Sequence, residues 1–148
     1  VLSGEDNQDM DKRIVFLLLW LTGMLVPLEW LTDAFPLVRR GLDFFVGTEL
    51  AHVIGHIVLF GGLVVLFLYL FNLPQTRGIA VLLGLCVLAV GLGQEFLQLQ
   101  VKGRMFGWPE IFDLGVDLAG GTIGWLVYPR LLGYSRYLRI AYFILRGG

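Results

Sequence analysis

Seven polar side chains interrupt long apolar runs in this 148-residue chain, and their spacing is that of helix faces. His52 and His56 stand four apart, Glu95 and Gln98 three apart, and Asp113 and Asp117 four apart, with Arg104 between the last two pairs. Residues three or four apart share one face of a helix. Several chemistries suit such a set. Two imidazoles at i and i+4 with one carboxylate can grip a metal ion. Paired carboxylates beside a guanidinium can move protons. An Arg–His cluster can hold a phosphate head group. A fourth arrangement is purely structural: Arg104 neutralises Glu95 or Asp113 and Gln98 fills the remaining hydrogen bonds. Acyl transfer through a nucleophile is excluded from this set, which holds no Ser or Cys and no G-x-S-x-G turn. No cofactor and no tightly held metal are expected, because Arg104 would compete for the carboxylates and a closed zinc site wants four ligands.

The elements that must position these groups are membrane spans. Mean hydropathy is +0.77 and only 16% of residues are charged, against about 25% in an ordinary soluble domain. The net charge of −1 gives no basis for nucleic-acid binding. Apolar runs cover about 14–28, 50–71, 78–99 and 111–128, and none alternates as a strand would. At about 1.5 Å per residue, runs of this size approach the roughly 30 Å of a hydrocarbon core. Helices also satisfy their own backbone groups in lipid. The expected fold is therefore all-α: a four-span transmembrane helical bundle over 1–133, followed by an amphipathic basic tail over 134–148. Pro27 falls near the end of the first run and Pro129 is expected to close the fourth. The first run lacks a small-x-small cleavage site and is expected to remain as a span. Cys86 lies mid-span and reads as a small packing residue, with no second cysteine to bridge.

In an up-down bundle the start of the second run, the end of the third and the start of the fourth meet at one membrane face. His52, His56, Glu95, Gln98, Arg104, Asp113 and Asp117 are thereby expected in one polar layer. Ionisable groups so near hydrocarbon are costly and commonly functional. Gly84 and Gly91 continue the stripe of Glu95, while Gly120, Gly121 and Gly124 continue that of Asp117, so the acids are expected on faces buried between helices. Glu49 and Glu110 are expected to be solvated loop-edge charges. Lys and Arg number seven on the side of the termini and four on the other, which predicts cytoplasmic termini and an outward-facing layer. Trp30, Phe35, Phe44 and Phe45 of the first loop and Trp108 suit the membrane interface. Arg136, Arg139 and Arg146 share one face of an interfacial tail helix.

The stretch GQEFLQLQVKGR resembles the VanZ-like membrane proteins, whose pattern is Glu-x-x-Gln, an Arg six residues later, then Asp-x-x-x-Asn and a Gly-rich helix. Glu95-x-x-Gln98, Arg104, Asp113-x-x-x-Asp117 and Gly120-Gly121 follow that order, and HIVLFGGL from His56 is similar to the family's second span. The similarity covers about 14–128. Asp117 stands where the family usually has Asn, His52 where an acid is common, and the gap from Arg104 to Asp113 is longer. The resemblance implies a small multi-pass protein of the bacterial cytoplasmic membrane, in a family linked to glycopeptide resistance but carrying no established reaction. On this reading the chain is a cell-envelope accessory protein, more in keeping with a binding protein than an enzyme, whose outward layer takes an anionic lipid or wall-precursor head group. A structural subunit of a larger membrane complex and a metal-dependent membrane enzyme are the alternatives.

Overall fold

The computed structural model describes the backbone of residues 4–26 and 48–146, and the side chains of 12–26 and 48–131. Among these residues the fold is all-α, with four helices and no strand: α1 (Gly4–Leu25), α2 (Glu49–Leu70), α3 (Arg77–Lys102) and α4 (Trp108–Arg146). Three of them, α2, α3 and the Trp108–Leu131 part of α4, are long and apolar enough to cross a membrane. Large apolar side chains line their outer faces, among them Ile54 and Val58 on α2, Leu85 and Phe96 on α3, and Phe112 and Leu126 on α4. Such a belt suits a lipid surrounding and would be a liability in water. Within α1 only the part from Ile14 onward is apolar, short of the roughly 17 residues a span needs.

Local signals set the helix ends. Thr48 and Thr76 cap α2 and α3, their hydroxyl oxygens accepting from the N–H of Ala51 at 3.1 Å and of Ile79 at 3.4 Å. At the other end of α3, Gly103 adopts a left-handed φ of 62°, and the N–H of Arg104 returns to the Leu99 carbonyl at 3.3 Å. This is the glycine-ended stop in which the last turn closes on itself. α1 ends at Leu25, two residues ahead of Pro27, as the restricted backbone before a proline favours.

α2 and α4 run parallel and share the largest interface, and α3 packs antiparallel against α4. The close approach of α2 and α4 is made by glycine. A Cβ on Gly120 would lie 2.8 Å from the Ile57 Cα, one on Gly61 would lie 2.9 Å from the Gly120 carbonyl oxygen, and one on Gly124 would strike the Gly61 backbone. Small residues permit this backbone contact, which substitutes for hydrophobic driving force inside lipid. The core beside it holds Phe60, Leu63, Val64, Leu68, Leu83, Val87 and Tyr128, whose hydroxyl donates to the Leu68 carbonyl at 3.1 Å. α1 lies antiparallel along α2, with Arg13 Nη1 donating to the Leu70 carbonyl at 3.3 Å and Trp20 Nε1 to that of Leu59 at 3.4 Å.

Two expectations are corrected. Pro129 does not close the fourth helix, which continues unbroken to Arg146. Proline at 129 removes the N–H that would bond the carbonyl of Trp125, four residues earlier. The Gln75 side-chain amide supplies the missing donor, reaching the Trp125 oxygen at 2.7 Å, so the helix can pass through the proline with its backbone satisfied. Gly84, expected at a helix contact, meets nothing within 4 Å. It lines an apolar cavity of about 140 Å³ with Leu83, Val87, Gly121 and Trp125. The aromatic residues of the first loop (Trp30, Phe35, Phe44, Phe45) and the side chains of Arg136, Arg139 and Arg146 lie outside the described residues.

Candidate functional site

The first turns of α2, the last turns of α3 and the first turns of α4 meet at one end of the bundle, and five of the seven singled-out side chains meet there. Because α2 and α4 are parallel, the four-residue spacing of the histidines matches that of the aspartates. His56 Nδ1 pairs with Asp117 Oδ1 at 2.6 Å, and His52 Nε2 with Asp113 Oδ1 at 3.3 Å. The two histidine rings lie 4.4 Å apart, centre to centre, and Phe60 stacks below His56 at 6.1 Å. The inner pair is sealed: Asp117 is 0% exposed. The outer pair is more open, with the His52 side chain 41% exposed.

α3 closes the third side. Gly91 leaves room for Asp117, since a Cβ there would lie 2.6 Å from Asp117 Oδ2. One turn on, Glu95 is buried at 3% exposure and interacts electrostatically with His56, Asp113 and Asp117. Gln94, which the motif spacing does not single out, is buried beside it. Its position three residues past Gly91 on the same face is the signal that could have found it. Glu95 Oε1, Gln94 Oε1 and Asp117 Oδ2 are buried with no hydrogen-bond partner among the described residues. Buried oxygens of this kind cost stability unless something engages them.

Arg104 and Gln98 are placed differently from expectation. Arg104 Nη2 pairs with Glu110 Oε1 at 3.5 Å, and neither Glu95 nor Asp113 is its partner. Glu110 is buried at 3% exposure, contrary to its reading as a solvated charge. The reason is local. Glu110 is the third residue of α4, and its Oε2 accepts from the N–H of Gly107 at 2.8 Å. This is the reach-back half of a capping box, reinforced by the positive end of the helix. Gly107-Trp-Pro-Glu110 carries that signal in sequence. Gln98 Oε1 accepts from Lys102 Nζ at 3.0 Å, one turn along α3.

The resulting layer holds two imidazoles and three carboxylates, with its expected guanidinium committed elsewhere. His52, His56 and Asp113 each offer a ligand atom, and these atoms lie within 4.8 Å of one another. Comparison of the chain with family models, curated proteins and solved structures gives no match.

Proposed function

We propose that this chain is a VanZ-like, four-span accessory protein of the bacterial cell envelope whose polar layer binds a cationic ligand. The order of the motif pieces and their distribution over α2, α3 and α4 support the family reading. In this reading the apolar part of α1, which lies along α2 and turns Val15, Phe16, Leu18 and Leu19 outward, is a short fourth span. The last part of α4, from 134 to 146, is in the same reading the interfacial basic helix. Seven Lys and Arg against four support cytoplasmic termini and an outward-facing layer.

One observation carries the choice of ligand charge. Glu95, Asp113 and Asp117 face His52 and His56 while Arg104 is held by Glu110. An anionic head group suits the layer only with Arg104 in it. Without it, an anion would enter a group of carboxylates at short range in a medium that screens poorly. A cation has the opposite effect, offsetting the cost of burying Glu95 and Asp117.

Thermal midpoints of the full chain in lipid nanodiscs test this. Ethanolamine or a divalent cation is expected to raise the midpoint, as any ligand of the folded state does, and inorganic phosphate to leave it unchanged. The cation effect is expected to shrink in Glu95→Gln and Asp113→Asn. A rise with phosphate alone would restore the anionic reading.

A further inference from the structure

We infer that His52, His56 and Asp113 are the ligands of a divalent transition-metal site, with Asp117 as the carboxylate that orients His56. The inference rests on the cation-binding reading above and names the cation's chemical class.

Four observations converge. The two histidines are at i and i+4 on α2, the spacing at which one helix face presents two imidazoles to one ion. Asp113 comes from a different helix, so the three ligand atoms surround a point between α2 and α4. Those atoms lie within 4.8 Å of one another, while ligands about 2.0–2.2 Å from a tetrahedral ion stand about 3.4 Å apart. Small side-chain rotations close that difference, and His52, partly exposed, has room to make them. Second, Asp117 does not compete for the ion. With the carboxylate ionised, His56 Nδ1–H donates to Asp117 Oδ1 at 2.6 Å, which fixes the tautomer and leaves the Nε2 lone pair for a metal. A carboxylate behind a ligating histidine is the common supporting arrangement in zinc sites.

Third, Glu95 is buried with Oε1 unpartnered, and it interacts electrostatically with His56 and Asp113 from the opposite helix. Its unpartnered oxygen is available to accept from a water molecule held on the ion. Fourth, one of the two reasons for expecting no metal does not hold, because Arg104 is paired with Glu110. Imidazole and carboxylate donors without thiolate suit zinc, cobalt or manganese more than copper(I). Three protein ligands leave a coordination position open, as in sites that handle a substrate.

The test uses the full chain in nanodiscs, stripped with chelator, in a Cys86→Ser background so that no thiol contributes. Zinc is measured by equilibrium dialysis, and cobalt(II) is added as a spectroscopic probe. About one zinc per chain is expected, with cobalt bands of a four- or five-coordinate ion. His52→Ala and Asp113→Asn are expected to weaken binding at least tenfold. Asp117→Asn should keep the stoichiometry and lose about 10–100-fold in affinity. Gly84→Ala, remote from the site, should bind as the parent does, and circular dichroism identifies any variant that fails to fold. Equal zinc binding by the parent and a folded His52→Ala/Asp113→Asn variant would overturn the site. So would a cobalt spectrum unchanged from that in buffer. If ethanolamine raises the thermal midpoint while zinc is not retained, the metal inference falls and the cation reading stands. If only phosphate raises it, both fall.

Discussion

His56 is held on three sides: Asp117 bonds it, His52 lies above it and Phe60 below. Removing one partner of a buried pair strands the other, at a cost of about 3–5 kcal/mol. Asp117→Ala is therefore expected to destabilise the bundle by that order, measured by reversible unfolding in detergent. Asp117→Asn, the residue usual in the resembling family, should cost less because its carbonyl can still accept from His56. Arg104→Ala should cost the least of the three, since this side chain is 56% exposed and exposed pairs contribute little. Equal losses for Asp117→Ala and Arg104→Ala would refute this ranking. Helical spacing alone makes the histidine and aspartate faces legible in the sequence. It leaves the pairing of Arg104 open, because a residue just past a glycine cap in a short loop has no helical phase to read. Glu110 is legible in principle as a helix-start residue. Counting it as loop edge hides the partner that takes Arg104 out of the layer.

The helices are legible from their apolar runs, and their contacts only in part. Gly120 and Gly124 stand out as a GxxxG pair, and they do carry the α2–α4 contact, while Gly84 looks alike in sequence and faces open space. What separates them is the partner helix, which a one-dimensional stripe does not contain. Gly61→Ala and Gly124→Ala are expected to lower stability by about 1–3 kcal/mol through overpacking. Gly84→Ala should raise it by up to about 1 kcal/mol, because the methyl finds space and alanine is the better helix former. Thermal midpoints of the three variants read this directly, and a loss at Gly84 matching that at Gly61 would contradict it. Pro129 reads as a stop because the rule for proline is local, whereas its remedy, Gln75, reaches Trp125 from 50 residues earlier in the chain. Gln75→Ala should cost about 1 kcal/mol by leaving that carbonyl unpaired. In a Pro129→Ala background, where the helix N–H returns, the same change should cost much less. An undiminished cost there would assign Gln75 another role.

At the scale of the molecule, the antiparallel course of α2 and α3 sends the two short turns to opposite ends of the bundle. In the Cys86→Ser background, an impermeant thiol reagent added to intact cells should label Lys102→Cys and spare Gln75→Cys. Labelling of Gln75→Cys alone would turn the polar layer toward the cytoplasm. Hydropathy and the up-down rule predict four spans and an end-on polar layer, and three helices among the described residues are long and apolar enough to be spans. The sign of the layer's charge does not, because it depends on one arginine in a loop. Everything proposed for this layer stands on α2 and α4 meeting in parallel through side chains 61 residues apart. A double-mutant cycle on His56 and Asp117, read by reversible unfolding in a bilayer mimic, tests that meeting most directly. A coupling energy of about 0.5–3 kcal/mol is expected for residues in buried contact. Strict additivity, within about 0.3 kcal/mol and with both single variants folded, would contradict the layer itself.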